Sequence, residues 1–294
     1  MKKTLLFLVI SLFLSAPVFS QVEDRFSFLN QSEITDYAKP FGTSLGMAFN
    51  SASYHTAKVA DFFGFSIGFT GMMILIPDDE KTFTPSLPDG YETSPAQTIY
   101  GSNQSTTYYG PNGFKVYPPG IDRSWVPAVM PQISASFMGS EVMIRYLPSI
   151  SLGDDEDLSM FGIGLKHNIS RYIPLSPVDI SVQFLYNSLK ITGVMDITAY
   201  AFNAHASKSF GLLTVYGGLQ YESSTFDLDY TFTDPGNTGQ SSTTSGQEIK
   251  VSIDGDNNFR ATVGTSVKLA VIVLNVDYSL GVQSVLCGGL TFEF

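Results

Sequence analysis

From residue 62 to the end, the chain alternates apolar and polar positions with a period of two. Phe63, Phe65, Ile67 and Phe69 share one face, while Gly64, Ser66, Gly68 and Thr70 share the other. Ile180, Val182, Phe184 and Tyr186 alternate with Ser181, Gln183 and Asn187, and Phe226, Leu228, Tyr230 and Phe232 alternate with Thr225, Asp227, Asp229 and Thr231. Ile272, Leu274, Val276, Tyr278 and Leu280 alternate with Val273, Asn275, Asp277 and Ser279. Successive side chains of a strand point to opposite faces, so this pattern predicts an all-β fold. A soluble sandwich would turn the apolar face inward. A membrane barrel would turn it outward against lipid, around a polar lumen.

The last strand separates the two. Leu286, Leu290, Phe292 and Phe294 share a face, and the sequence stops on the aromatic residue. In a sandwich that face would be buried, and a terminal carboxylate there would need solvation. Gly289, followed by Phe292 and Phe294 at the third and fifth places after it, resembles the C-terminal signal of outer-membrane barrels. That resemblance implies an assembly-signal role for these three residues and the barrel assembly machinery as a partner.

Counting back from Phe294 gives strands at 283–294, 270–280, 248–268, 211–232, 194–207, 179–190, 160–170, 141–148, 128–138 and 62–75. This is an antiparallel transmembrane β-barrel of ten counted strands. If Leu45–Asn50 is also a strand, it needs a partner within 76–127 and the count is twelve; fourteen would require short strands. Barrel turns are short on the periplasmic side and long outside. The segments 76–127 and 234–247 and the acidic loop around Asp154 then fall outside, with tight turns at Gly139-Ser140 and Lys208-Ser209 on the periplasmic side. A shift of apolar parity between Tyr221 and Phe226 predicts a bulge where that strand leaves the membrane, and Asp254–Asn258 interrupts the facing strand at a similar height, so this hairpin is expected to project beyond the bilayer.

The amino terminus sets the compartment. Lys2 and Lys3 precede an uncharged apolar run from Leu5 to Ala16, and small residues follow to Ser20. Residues 1–20 read as a signal peptide cleaved after Ser20, with a core too short to cross ~30 Å of hydrocarbon. Residues 21–61 are either a plug in the lumen or the first strand, and 62–294 form the barrel. The expected location is the cell outer membrane, with outer-membrane lipid and lipopolysaccharide as surroundings.

Charge and candidate chemistry narrow the function. Cleavage removes two lysines and no acids, leaving 27 acids against 14 bases and a net charge of −13. That balance argues against nucleic acid as a partner. The single cysteine, Cys287, has no partner for an internal disulfide and reads as a small apolar side chain. Strand parity points Arg145, Lys166, Arg260, Asp277 and Glu293 into the lumen, where opposed charges either line a constriction or pair into a network filling it. The stretch Thr82–Trp125, rich in Pro, Gly, Ser, Thr and Tyr, is either a ligand-binding surface or a solvated cap.

Other motifs fall short. Asp254, Asp256 and Asn258 open like a calcium loop, but Phe259 and Thr265 occupy the places of its glycine and closing acid. The acidic runs Asp78–Glu80 and Asp154–Asp157 read as solvated loops. His55, His167 and His205 follow no metal-ligand or catalytic spacing, and Ser170 lies three residues from His167 and so on the opposite face of a strand. No enzyme activity, metal or cofactor is expected.

The chain also resembles a family of outer-membrane proteins from Gram-negative bacteria of the Bacteroidetes type. The resemblance is carried by Gly42-Thr43-Ser44-Leu45-Gly46, Tyr54-His55-Thr56-Ala57-Lys58, Ile144-Arg145-Tyr146-Leu147-Pro148, Gly162-Ile163-Gly164-Leu165-Lys166-His167 and Asp277-Tyr278-Ser279-Leu280-Gly281. It implies a membrane barrel and assigns no activity. A more distant likeness is to the fatty-acid outer-membrane channels, whose barrels carry an N-terminal hatch and pass apolar solutes. The expected function is therefore a narrow or plugged passive channel for small or apolar solutes. The alternative is a barrel that transports nothing and presents its outer loops for adhesion or envelope structure.

Overall fold

In the computed structural model, residues 29–91, 94–111, 113–153, 156–231 and 248–294 are described. Ten strands close into an antiparallel barrel: β1 (Gly64–Leu75), β6 (Trp125–Phe137), β7 (Ser140–Gly153), β8 (Glu156–Asn168), β9 (Asp179–Ile191), β10 (Met195–Phe210), β11 (Leu213–Thr231), β13 (Phe259–Leu269), β14 (Ile272–Leu280) and β15 (Ser284–Glu293). Each pairs with the next, and β15 returns to β1 in continuous register from Ser66↔Glu293 to Leu75↔Ser284. The seam is finished by reciprocal backbone bonds between Phe65 and Phe294. Closure leaves no unpaired edge, which is the condition for strands to cross a bilayer.

One sequence expectation is refined here. The run expected at 248–268 is two strands, β12 (Glu248–Asp254) and β13, which pair in turn with the outer and inner parts of β11. They are separated at Gly255–Asn258, the break visible in the sequence.

Three two-residue connections, 138–139, 211–212 and 270–271, lie at one end of the barrel. Met138-Gly139, with φ of 51° and 77°, makes the tight turn between β6 and β7, because two successive positive φ values match the twist of paired strands. The other expected tight turn is displaced. Lys208 and Ser209 continue β10, and Gly211-Leu212 turns the chain. At the opposite end, 76–124 carries two small hairpins, β2 (Thr82–Phe83) with β3 (Ala96–Gln97) and β4 (Thr106–Gly110) with β5 (Gly113–Tyr117). It supplies no further membrane strand. The expected loops at 234–247 and around Asp154 lie outside the described residues.

The outer face of the barrel is apolar. Phe65, Ile67, Phe184 and Leu274 point outward, each about half exposed; the side chain of Tyr230 lies outside the described residues. Two sets of outward aromatics mark the ends of this belt. Phe62, Phe63, Phe137, Phe210 and Phe294 sit by the short turns, and Trp125, Tyr146, Tyr200, Tyr221 and Phe259 lie toward the loop end. On β11 the outward apolar run extends from Leu213 to Tyr221, which matches the ~9–11 residues a tilted strand needs to cross a bilayer.

Beyond Tyr221 the pattern inverts, and the expected irregularity lies in the partner: between Tyr221↔Phe259 and Thr225↔Asp254 the register of β11 with β13 and β12 shifts by one residue, while β11 itself keeps its alternation. The register of β10 with β11 is unbroken from Met195↔Leu228 to Phe210↔Leu213. Phe226 and Leu228, expected on the lipid face, are buried inside the barrel, while Asp227 and Asp229 face out. Ile74, Leu158, Met160, Ile191, Met195, Ile197, Val251 and Ile253 are likewise buried inside this outer part. Strands that rise past the lipid meet water on the outside, so their apolar positions turn to the interior. The parity shift marks the membrane exit. Register shifts do occur elsewhere, between β7 and β8 at Leu147/Ile150 and Ser151/Gly153.

The outer apolar interior is filled by a helix, α1 (Gln31–Phe49). Leu45–Asn50 is thus the end of a helix and its cap, and the expectation of a first strand there is corrected. Asn30 caps α1 through its side chain, and the Glu33 side chain returns a bond to the Asn30 backbone, a reciprocal arrangement that starts helices. Ile34, Tyr37, Ala38 and Phe41 recur at helical spacing and pack in the outer core. Phe41 meets Phe226 edge to face, with ring centroids 5.7 Å apart. Gly46 lets the helix lie directly on β11: a Cβ there would stand 2.0 Å from Ser224 Oγ.

Candidate functional site

The lower lumen is polar, and its side chains are directed at the end of α1 and the chain that follows. A helix C-terminus leaves backbone carbonyls without partners and carries partial negative charge. The last turn of α1 has no basic residue of its own; the barrel wall supplies two arginines. Arg145 donates to Phe49 O at 2.6 Å and to Ser51 O at 2.8 Å, and Arg260 donates to Met47 O at 3.0 Å. Asn187 donates to Phe49 O, Gln220 to Asn50 O and Gln183 to Ser53 O. These residues come from β7, β9, β11 and β13, so the grip surrounds the segment.

Each lumen residue expected from the sequence has a definite place. Arg145 is fully buried and also touches Gln132. Arg260 pairs with Glu222 at 2.8 Å, both side chains about 1% exposed, and also bonds Ser51. Lys166 pairs with Glu141 at 2.9 Å. Asp277 accepts from the Tyr216 hydroxyl at 2.9 Å and from Asn275. Glu293 lies at the short-turn end between His55 at 2.7 Å and Lys268 at 2.5 Å. The structure brings Arg145 and Arg260 together on one segment and leaves Lys166, Asp277 and Glu293 with separate neighbours. Of the assembly-signal residues, Phe292 and Phe294 lie on the outward face, and Gly289 lies on the inward side against Asn275 and Thr70.

Glu222, Asn187, Gln183 and Gln220 were not singled out from the sequence. Their signal was present, since each sits at a polar position of an alternating strand. Which polar positions meet a ligand-like segment depends on where residues 47–57 run, and strand periodicity does not contain that.

Below the arginines, Tyr54 stacks on His205 at 3.9 Å, and Ser207 and Ser181 bond Ala57. His167 faces outward at the short-turn end between Ser140 at 2.8 Å and the Tyr172 hydroxyl at 3.1 Å, while Ser170 bonds Asn168. His167 and Ser170 therefore do not meet. Cys287 is buried and faces inward. Among the described residues, no group of three or more His, Cys, Asp or Glu side chains is placed to hold a metal ion.

The loop end is closed by a cap. Tyr37 donates to Pro119 O at 2.9 Å, Tyr100 to Ser44 Oγ at 2.9 Å and Tyr117 to Glu33 at 2.7 Å, and Lys115 also contacts Glu33. Glu80 contacts Gln283, which also bonds Ser44 and Pro40 O. Burial pushes the Glu80 carboxyl above the ordinary glutamate range, with Asp256 and Asp79 adding to the rise. At the loop-end rim, between the start of α1 and β9–β12, a cavity of about 460 Å³ is lined by Gln31, Lys190, Asp196, Asp227, Asp229 and Lys250 among others.

A closed antiparallel barrel with an apolar belt and polar lumen defines an integral membrane β-barrel protein. The chain belongs to the DUF6588 family, a family of unknown function whose model matches residues 1–294. No curated protein matches it. Among solved structures it is similar to a loop-deletion form of OmpT, an outer membrane protein of Vibrio cholerae, at 11% identity over 79% of this chain and 98% of that one, with a TM-score of 0.28. It is similar to the Neisserial surface protein A at 8% identity, covering 81% and 99%, with a TM-score of 0.25. A third is the beta domain of the Bordetella autotransporter BrkA, at 9% identity, covering 80% and 100%, with a TM-score of 0.32.

Proposed function

We propose that this protein is an exported outer-membrane barrel kept plugged by residues 29–61 and presenting a folded cap, 76–124, at the cell surface. The observation that carries the reading is the ring of Arg145, Gln183, Asn187, Gln220 and Arg260, whose donors are bound to the backbone of Met47–Ser53. Side chains that would line a water-filled pore instead hold protein. The signal-peptide pattern at 1–20 supports export. The aromatic belts support contact with outer-membrane lipid and lipopolysaccharide, and outward Phe292 and Phe294 support recognition by the barrel assembly machinery.

A second reading, a passive channel for small or apolar solutes, draws on one observation. The plug is held in the lower lumen by hydrogen bonds that water can replace, so its displacement would leave a polar passage. Planar-bilayer recording of the purified protein separates the two. The plugged reading expects silence from the full chain and stepwise conductance after deletion of 29–58. Steady conductance from the full chain would overturn the plug, and silence from both forms would remove the channel reading.

A further inference from the structure

We infer that the chain threads its own barrel once, running from the loop end down to the short-turn end, so that the start of α1 stands at the outer surface. Two separate stretches of wall mark this path independently. On β12 and β13, which descend from the loop end, Gln31 bonds Lys250 O, Lys39 pairs with Asp256 at 2.8 Å and Thr43 accepts from the Asp256 backbone. Further down, Met47 meets Arg260 and His55 O accepts from Ser266. Sequence number rises together on both partners.

On β9, which ascends from the short-turn end, the order is reversed. Phe49 meets Asn187, Ser53 meets Gln183 and Ala57 meets Ser181. The descent ends at Ala60 O, which accepts from Gly139 N in a short turn, just before β1 begins. The upper end is fixed by the cap, through Glu33 with Tyr117 and Tyr37 with Pro119. A 19-residue helix is about 29 Å long at 1.5 Å per residue, so α1 alone passes through most of the outer half.

The consequence is directional. With the C-terminus and short turns on the periplasmic side, as barrel topology requires, Leu29 is at the extracellular mouth. The start of α1 is presented outside together with the cap, and the barrel must close around α1 during assembly.

Cysteine labelling in intact cells tests this, in the full-length protein with Cys287→Ala. A membrane-impermeant maleimide should label Ser32→Cys, exposed at the start of α1, and Ser105→Cys, exposed in the cap, without permeabilisation. Lys58→Cys, exposed near the short turns, should label only after the outer membrane is opened. Labelling of Ser105→Cys but not Ser32→Cys in intact cells overturns the threading while leaving the barrel orientation intact. Labelling of Lys58→Cys in intact cells, with Ser105→Cys protected, overturns the orientation instead. Heat-modifiable migration on gels confirms that each variant has folded.

Discussion

Arg145 and Arg260 do similar work with different consequences. Both cap the C-terminal carbonyls of α1, but only Arg260 also neutralises a buried carboxylate, Glu222. Replacing Arg145 by Met leaves Ser51 O without its donor, at about 1–3 kcal/mol for a stranded group, while Phe49 O keeps the bond from Asn187. Replacing Arg260 by Met leaves Glu222 charged and unpaired in a buried site, where losing one partner costs about 3–5 kcal/mol. Thermal melting in detergent should therefore rank Arg260→Met below Arg145→Met. Adding Glu222→Gln should recover part of the Arg260→Met loss but none of the Arg145→Met loss. Equal melting temperatures for the two single variants would contradict this account of the pair.

At the level of single elements, β11 shows how one strand serves two solvents. Its lower part presents Val215, Leu219 and Tyr221 to lipid, and its upper part presents Asp227 and Asp229 outward while Phe226 and Leu228 pack on α1. The cost of a substitution should follow the level and the face it lies on. Val263→Arg, on the lipid face of neighbouring β13, should lower refolding stability by about 2–4 kcal/mol, as charges near the bilayer midplane do. Phe226→Ala should cost about 3–5 kcal/mol through the cavity it leaves against Phe41. Asp227→Ala should change stability by less than about 0.5 kcal/mol, as surface positions do. Urea titration of refolding into vesicles measures all three, and a large effect at Asp227 would show that the strand has not left the membrane there. The alternation itself was plain in the sequence. Its meaning at 226 and 228 was not, because a period of two reports that a strand has two faces and leaves open which solvent meets each.

For the molecule as a whole, the cap is docked onto α1 and the barrel rim at once, and Glu80 sits where the three meet. It contacts Gln283 at the β14–β15 turn, with Asp256, Asp79 and Lys39 nearby. Its carboxyl is held above the ordinary glutamate range chiefly by burial, so the folded cap favours the protonated form. An acid whose folded value is raised stabilises fully below its unfolded value, near 4.5, and that contribution is lost as pH rises through the folded value. The cap should thus be tightest in mild acid and loosen toward neutrality. Fluorescence of Trp125, the single tryptophan, placed at the top of β6 beside the cap, follows this. Glu80→Gln should flatten the pH response between about 4 and 7; an unchanged response would exclude Glu80 as its source.

The ten membrane strands, their outward aromatics and the closing role of Phe294 follow from the sequence by itself, because each is a consequence of local periodicity against a slab-like solvent. The inward placement of Arg145 and Arg260 follows for the same reason. What those arginines hold was decided only by tertiary structure. Residues 31–49 carry helical signals, a cap at Asn30 and apolar positions three and four apart, yet a helix pattern does not say that it lies inside a ring of strands formed later in the chain. Likewise, the sequence marks a membrane exit after Tyr221, but that Phe226 there turns inward onto Phe41 of α1 was decided by the tertiary structure. Local sequence sets which face is apolar; only the closed barrel, by enclosing one segment and excluding lipid above a certain height, determines what that face touches.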